Sequence, residues 1–330
     1  MAFYSKIIGT GSGFPERVVT NADLEKIVDT TDEWIRTRTG IESRRIAQPE
    51  KGESTLTFCE IAARQAMQAA GVTGADIDII LVGTVTPDTL MPNTANQLQA
   101  AIGAHGAFSF DLQAACSGWV FGLATADAFL RSGQKRTALV IGAETLSSIV
   151  NWQDRSTCVL FGDGAGAAIL QRTEDPAHSI LATKIYSDGR YGHILSIPHG
   201  FCKVPPYSAE YRHDMHKIKM NGSEIFKFAV RNMCESSKTI LEENGFAVKD
   251  VDHFIFHQAN LRIIDMCLKT LEVPPEKTSI NLQKYGNTSA ATLPVCLDEA
   301  LRGGKVRSGD LVLMTTFGGG ITWGSALVRI

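Results

Sequence analysis

The sequence lacks the cysteine patterns that mark disulfide-stapled and zinc-binding proteins. Its 330 residues contain no CxxC pair and no group of histidines and cysteines with metal-ligand spacing. The cysteines are odd in number and scattered along the chain, at Cys59, Cys116, Cys158, Cys202, Cys234, Cys267 and Cys296. This usage excludes a disulfide framework and indicates reduced thiols in a cytosol.

Long apolar runs and an excess of one charge are missing as well. No apolar run approaches the roughly 20 residues of a membrane span, and the first residues lack the charged-then-apolar layout of a signal peptide. Lys and Arg number 32 against 35 Asp and Glu, which gives a net charge of −3. Such a balance predicts no bulk attraction to nucleic acid or membranes. We therefore expect a cytoplasmic protein that binds neither.

The chain does contain a clear alternation of helix and strand patterns. Its composition, 44% hydrophobic and 20% charged, is that of an ordinary globular protein. Predicted strands over 77–85, 107–112 and 137–142 alternate with predicted helices over 54–70, 117–131 and 223–243. This order favours an α/β fold with mainly parallel sheets covered by helices. A polar insertion between 187 and 220 is predicted to be an exposed loop over one face.

A weak internal repeat is visible in the spacing of helix ends and strand starts. Gly71 and Gly245 each follow a predicted helix, and 245 − 71 = 174. The runs starting at Asp111 and Asn281 are also similar, at an offset of 281 − 111 = 170. Chance similarity among short segments is one explanation, and gene duplication, which the order of elements favours, is the other. Duplication would bring the Cys116 and Asn287 loops together at strand C-termini, where α/β proteins build sites.

Cys116 is the residue with the most distinctive setting. It lies among small residues where a predicted strand ends and a predicted helix begins. Unpaired N–H groups at a helix start lower a thiol pKa and favour the nucleophilic thiolate. The alternative is a buried structural cysteine, which is the common fate of free cysteines and our interpretation of the other six.

Three further segments carry candidate chemistry. His257 ends an apolar strand, as a hydrogen-bonded strand-end histidine would, and Asn287 lies in a Gly-Asn-Thr-Ser run typical of a turn and helix cap. The glycines at 318–320 fit a tight turn, or a bare backbone whose N–H approaches an acyl carbonyl. A phosphate cradle is not favoured, because neither a helix nor a P-loop lysine follows.

Together these segments and the run 161–167, Phe-Gly-Asp-Gly-Ala-Gly-Ala, resemble β-ketoacyl-acyl-carrier-protein synthase III, the condensing enzyme that primes type II fatty-acid synthesis. The likeness extends from Ile7 to Ile330. It implies a thiolase fold, with five αβαβα layers, in a homodimer. Its two pseudo-symmetric halves would be residues 1–174, with the nucleophile, and 175–330, with the histidine and asparagine.

Rival branches of the superfamily differ at single residues. Thiolases carry a second cysteine in the C-terminal glycine loop, and the stretch 315–324 has none. Elongating synthases use a second histidine where this chain has Asn287. Chalcone-synthase-like enzymes share the Cys-His-Asn trio, but the segment 31–40 resembles the priming branch.

The resemblance implies a reaction of acetyl-CoA with malonyl-acyl-carrier protein to give acetoacetyl-acyl-carrier protein, CoA and CO2, without metal or cofactor. Cys116 would hold the acyl group while the N–H groups of Cys116 and Gly319 form an oxyanion hole. His257 and Asn287 would both donate hydrogen bonds to the enolate oxygen left by decarboxylation.

Binding residues are also implied by the resemblance. Trp34 and Arg155 would hold the CoA adenine, Arg38 and Asn260 would lie near its phosphates and pantetheine arm, and Phe317 would contact substrate. Met91 matches the residue that reaches across the dimer to floor the partner's acyl pocket, where many relatives carry Phe. Arg262 and Lys269 match positions that contact the acidic carrier protein, with Lys217, Lys219 and Lys227 as looser candidates.

Two other functions remain open at this point. A paralogue with the same trio could make a polyketide, an alkylquinolone or an ester, and a larger pocket or turnover without carrier protein would favour it. A catalytically silent acyl-binding subunit is the third possibility, but such a protein has no need for the whole trio.

Overall fold

The structure is a computed structural model that describes residues 2–198, 202, 204–205 and 207–330. Its strands are β1 (Tyr4–Gly13), β2 (Val18–Thr20), β3 (Ser43–Arg45), β4 (Ile79–Gly83), β5 (Phe108–Leu112), β6 (Thr137–Thr145), β7 (Asp163–Thr173), β8 (Ile180–Ser187), β9 (Leu195–Ser196), β10 (Lys219–Met220), β11 (His253–Phe256), β12 (Leu311–Gly318) and β13 (Thr322–Arg329). Its helices are α1 (Asn21–Leu24), α2 (Asp32–Thr39), α3 (Thr55–Ala70), α4 (Thr94–Ala101), α5 (Gly118–Arg131), α6 (Gly222–Glu243), α7 (Leu261–Leu271), α8 (Leu282–Tyr285) and α9 (Thr292–Arg302).

Two large sheets organise the molecule. The first has the order β1-β7-β6-β4-β5 and the second the order β11-β12-β13-β8. Parallel pairing joins β4 to both β5 and β6, and β11 to β12, whereas β7 and β13 run antiparallel to both of their neighbours. The prediction of mainly parallel sheets is therefore wrong: both sheets are mixed. The sequence reading also missed β1, whose glycine-rich pattern resembles a loop.

The helices form three layers around these sheets. α3 and α4 pack on the outer face of the first sheet, and α6 packs on the outer face of the second with α7 beside it. α5 and α9 contact strands of both sheets and so lie between them. Their burial follows from sequence: α5 contains Trp119, Val120, Leu123 and Ala126 at helical spacing, all buried. The expected five-layered αβαβα order is confirmed.

The repeat inferred from the sequence extends through the core at one offset. β4 and β11 begin at residues 79 and 253, and α5 and α9 begin at 118 and 292, so both pairs differ by 174. Short 3-10 turns precede the two central helices at Ala115–Ser117 and Ser289–Ala291, again 174 apart, and the turns contact each other. The structure does not support the 170 offset, because that offset matches the end of strand β5 (Phe108–Leu112) with the start of helix α8 (Leu282–Tyr285). The division at residue 174 stays a prediction.

The insertion between 187 and 220 is not simply an exposed loop, so that prediction is wrong for its described residues. Ile194 and Ile218 are buried in the core, and β9 pairs with β10 to close the segment on itself. Apolar residues within this polar stretch hold it against the protein. Residues 199–201, 203 and 206 of the predicted loop lie outside the described residues.

Candidate active site

Two cavities meet at Cys116. The narrower one, about 120 Å³, is lined by Cys116, His257 and Asn287 together with Asn260 and Phe317. The wider one, about 460 Å³, is lined by the Cys116 loop, Ser289, Gly319 and Gly320 and by the insertion residues 195–198 and 218. The structure thus brings the predicted trio together on one cavity and places Gly319 on the adjoining one.

The Cys116 loop has a strained backbone, and the hydroxyl groups of two threonines hold it in place. Ala115 has a left-handed backbone with φ of +46°, a conformation that costs a non-glycine residue energy. The hydroxyl of Thr316 donates to the carbonyl of Cys116 at 3.1 Å, and that of Thr322 donates to the carbonyl of Ala114 at 2.8 Å. A Cβ added to Gly318 would lie 2.7 Å from the Cys116 nitrogen, so the glycine allows this close approach.

Burial dominates the acid–base chemistry of the thiol. Cys116 is 8% exposed, and this burial raises the pKa of its thiol to about 12, although the neighbouring Ser289 hydroxyl acts to lower it. The prediction of a lowered pKa is therefore wrong in direction. The thiol is therefore neutral near pH 7, and a nucleophilic role for it would require a proton acceptor.

His257 is oriented by a neighbour that the sequence analysis did not identify. Its Nδ1 lies 2.6 Å from the hydroxyl of Thr292, which itself donates to the carbonyl of Ser289 at 2.9 Å. Because that hydroxyl has one hydrogen, Nδ1 of His257 is the protonated nitrogen and donates to Thr292. Burial lowers the pKa of His257 to about 3. The ring is therefore neutral and presents the lone pair of Nε2 to the cavity.

Asn287 is fixed through both its backbone and its side chain. Its N–H donates to the carbonyl of Leu160 at 2.8 Å, and its carbonyl accepts from Gly162 at 3.0 Å. Its Oδ1 accepts the N–H of Ser289 at 2.8 Å. The amide oxygen is thereby occupied, and the NH2 group remains as a donor toward the cavity.

The residues predicted to hold CoA form one cluster beside this cavity. The guanidinium of Arg155 lies 5.0 Å from the centre of the Trp34 ring, and that of Arg38 lies 5.6 Å from it. Asn260 caps α7 and donates to the carbonyl of Arg38 at 3.1 Å, which links the cluster to the cavity. The Trp34–Arg155 spacing leaves no room for a base between them, so adenine binding there requires Arg155 to move.

The remaining predicted residues line neither cavity. Met91 is 88% exposed and lines neither cavity of its own chain. Arg262 and Lys269 are exposed on α7, about two helical turns apart, and Lys227 is exposed on the adjoining α6. The two other looser candidates differ in their contacts. Lys219 is exposed, whereas Lys217 donates to the carbonyl of Ser148 at 3.0 Å.

Three functional candidates were missed by the sequence analysis: Thr292, Ser289 and Glu144. Glu144 is fully buried at the end of β6 and accepts a hydrogen bond from Ser289. The only signal for Glu144 in the sequence was its position as a charged residue at the end of an apolar strand. Over the described residues no cluster of His, Cys, Asp or Glu could hold a metal ion. The same residues contain no helix long and apolar enough to cross a bilayer.

Comparison with known proteins places this geometry in a family. The family model for 3-oxoacyl-[acyl-carrier-protein] synthase III matches residues 110–189, and the model for its C-terminal part matches 241–330. A β-ketoacyl-[acyl-carrier-protein] synthase III of Alkalilimnicola ehrlichii is 50% identical over 328 residues, which cover 99% of both chains. The crystal structure of 3-oxoacyl-[acyl-carrier-protein] synthase III from Aquifex aeolicus is 47% identical with a TM-score of 0.91, over 99% of this chain and 100% of that one.

A further solved structure is similar but belongs to another pathway. The priming β-ketosynthase of R1128 polyketide biosynthesis is 35% identical with a TM-score of 0.92, over 99% of this chain and 96% of that one. Backbone similarity alone therefore does not separate fatty-acid from polyketide priming.

Fold and site together define a thiolase-fold condensing enzyme, an acyltransferase. With half of its residues identical to a curated relative over nearly its whole length, the chain belongs to the β-ketoacyl-acyl-carrier-protein synthase III family. The family predicted from the sequence is confirmed.

Proposed function

We propose that this enzyme condenses acetyl-CoA with malonyl-acyl-carrier protein, and that Cys116, His257 and Asn287 carry out the chemistry. The observation that supports this assignment is their position on one narrow cavity, which continues to the Trp34 cluster through Asn260. A thiol, a proton acceptor and a neutral donor are the groups that acyl transfer followed by decarboxylation requires.

In the first stage the neutral thiol of Cys116 attacks the acetyl carbonyl carbon while its proton moves to Nε2 of His257. The carbonyl oxygen becomes an oxyanion, for which the N–H groups of Cys116 and Gly319 are the proposed donors. Collapse of this intermediate breaks the bond to the CoA sulfur. The departing CoA thiolate takes the proton from His257, and the acetyl group stays on Cys116.

In the second stage the malonyl carboxylate leaves as CO2, and the electron pair of the broken C–C bond forms an enolate. Asn287, whose amide nitrogen needs no added proton, donates to the enolate oxygen. His257 can donate a hydrogen bond to the enolate oxygen only while its Nε2 carries a proton. The resemblance implied a donor role without this condition. The enolate carbon bonds to the acyl carbon, and the Cys116 sulfur leaves and regains a proton from water. Decarboxylation itself supplies the carbanion, so this route needs neither metal nor cofactor.

The binding assignments follow the same proposal. Trp34, Arg38, Arg155 and Asn260 would hold CoA, since two guanidinium groups already face the Trp34 ring. Arg262, Lys269 and Lys227 would receive the acidic carrier protein beside the same entrance. Exposed Met91 would pack against a second copy of the chain in a cytosolic homodimer. Residues 1–174 and 175–330 would be the two halves of each copy.

Primer length is a separate part of the proposal. The wider cavity, about 460 Å³, adjoins the thiol and contains far more space than an acetyl group fills. We expect initial rates with malonyl-acyl-carrier protein to extend to primers longer than acetyl-CoA. A sharp loss of rate beyond acetyl would show that the partner subunit fills this cavity.

The function itself is tested by product analysis. Purified enzyme with acetyl-CoA and malonyl-acyl-carrier protein should release one CO2 and one CoA for each acetoacetyl-acyl-carrier protein formed. Turnover with malonyl-CoA and no dependence on carrier protein would instead favour the polyketide or alkylquinolone alternative.

A further inference from the structure

Ser289 contacts all three residues of the proposed trio, directly or through one neighbour. Its N–H fixes the amide oxygen of Asn287 at 2.8 Å. Its carbonyl accepts from Thr292, which in turn fixes His257. Its hydroxyl lies within hydrogen-bond reach of the Cys116 thiol and borders the wider cavity.

The backbone of Ser289 is strained in a way that needs support. Its φ is +51°, in the left-handed region that L-residues with a side chain occupy at a cost of about 1–3 kcal/mol. Such a conformation persists only where surrounding contacts hold it. The side-chain contact available to do so is the hydrogen bond from the Ser289 hydroxyl to Oε1 of Glu144, at 3.1 Å.

Glu144 is an unusual anchor because it is a buried carboxylate with only neutral partners. It accepts from the hydroxyl of Thr86 at 2.6 Å, from the N–H of Val85 at 3.1 Å and from the hydroxyl of Thr84 at 3.3 Å. Within the described ranges no Lys, Arg or His forms an ion pair with it. Burial raises the pKa of Glu144 to about 7. A buried acid without an ion pair lowers the stability of the fold. A role in the reaction would explain why Glu144 is present here.

We propose that Glu144 and Ser289 are positioning residues of the condensation: Glu144 anchors the Ser289 hydroxyl, and Ser289 thereby sets the orientation of the Asn287 amide and the His257 ring. This inference deepens the proposed function and rests on it. Neither residue transfers a proton or contacts the reacting carbon atoms in this account. Their effect is on the geometry of the groups that do.

The test compares two half-reactions in Glu144→Gln and Ser289→Gly enzymes. The Gln side chain has the size of Glu, but its NH2 group would face the hydrogen-bond donors that now contact the carboxylate. Gly at position 289 keeps the left-handed backbone and removes the hydroxyl. We expect malonyl decarboxylation to slow about 10–100-fold in each variant, as misplaced catalytic groups do, with KM for acetyl-CoA nearly unchanged. Asp127→Asn is the matched control, since Asp127 is a buried carboxylate held by Ser5 and Arg131 away from both cavities.

The outcomes separate the alternatives. Slowed decarboxylation with a melting temperature close to that of Asp127→Asn supports positioning. Wild-type rates in both variants, or losses that Asp127→Asn matches, overturn it. If wild-type enzyme fails to decarboxylate malonyl-acyl-carrier protein, the proposed function has failed and not the positioning role. If Glu144→Gln does not fold, Ser289→Gly still decides.

Discussion

The two halves of the molecule use the same backbone for different tasks. At the offset of 174, Gly83 and Gly118 of the first half correspond to His257 and Thr292 of the second. In the first half the two glycines pack so closely that a Cβ on Gly83 would lie 2.6 Å from the backbone of Gly118. In the second half the same positions form the 2.6 Å hydrogen bond that orients the imidazole.

The strained turns before the central helices differ in the same way. Ala115 and Ser289 are equivalent and both are left-handed, with φ of +46° and +51°. The next residue is Cys116, the proposed nucleophile, in one turn and Ala290 in the other. The comparison indicates that one copy supplies the sulfur, whereas the other supplies the hydrogen bonds that orient its partners.

The largest effect should come from removing the sulfur. Cys116→Ala should lower condensation on the order of 10⁶-fold, as loss of a covalent nucleophile does elsewhere. Decarboxylation of malonyl-acyl-carrier protein should continue, because the His257–Asn287 side of the cavity is intact. Both activities are measured by release of CoA and of labelled CO2. Loss of both together would show that the two turns do not divide the work.

The protonation state of Cys116 is expected to follow burial and not the helix start. With its pKa raised to about 12, the thiolate fraction grows as pH rises toward that value. Alkylation of Cys116 by iodoacetamide should therefore increase about a thousandfold between pH 7 and 10. Peptide mapping separates it from exposed Cys202, and buried Cys296 serves as the unreactive control. A plateau in the alkylation rate of Cys116 below pH 9 would contradict the prediction that burial outweighs the helix start.

Asn287 and its counterpart Gln113 offer a direct test of the asymmetry, since 287 − 113 = 174. Asn287→Ala should slow decarboxylation about 10²–10³-fold, as loss of an oxyanion donor does, and should change acyl transfer to Cys116 much less. Gln113→Ala, at the exposed equivalent position on the wider cavity, should leave decarboxylation near wild type. Equal loss of the two half-reactions in Asn287→Ala would refute its assignment to the second stage.

Thr292 should give the smallest effect. Thr292→Val removes the acceptor for Nδ1 of His257, and a hydrogen bond of about 1 kcal/mol corresponds to a change of roughly fivefold to tenfold. We expect kcat to fall by that factor with KM unchanged, and Thr292→Ser to restore it. Failure of the serine variant to restore kcat would mean that shape, and not the hydroxyl, matters at this position.

Local patterns predicted much of the fold and the trio. Helical spacing located α5, and the inferred duplication predicted that the Cys116 and Asn287 loops lie together, as they do in the structure. The pairing of Trp34 with Arg155 followed from the resemblance and is present in the structure. These features are either periodic along the chain or carried by distinctive residues.

What the sequence could not predict depends on contacts between distant residues. The Ser289–Glu144 bond joins positions 145 residues apart, and neither residue belongs to a periodic pattern. The pKa of Cys116 was misjudged because a helix start is visible in sequence, whereas the depth of a cavity is not. The insertion was misjudged because its few apolar residues are spaced irregularly.

The central claim is tested most directly by mapping where an acetyl group resides on the enzyme. After incubation with radiolabelled acetyl-CoA, rapid quenching and digestion, we predict about one label per chain, on the peptide that contains Cys116. Label on another peptide, or none, would contradict the account.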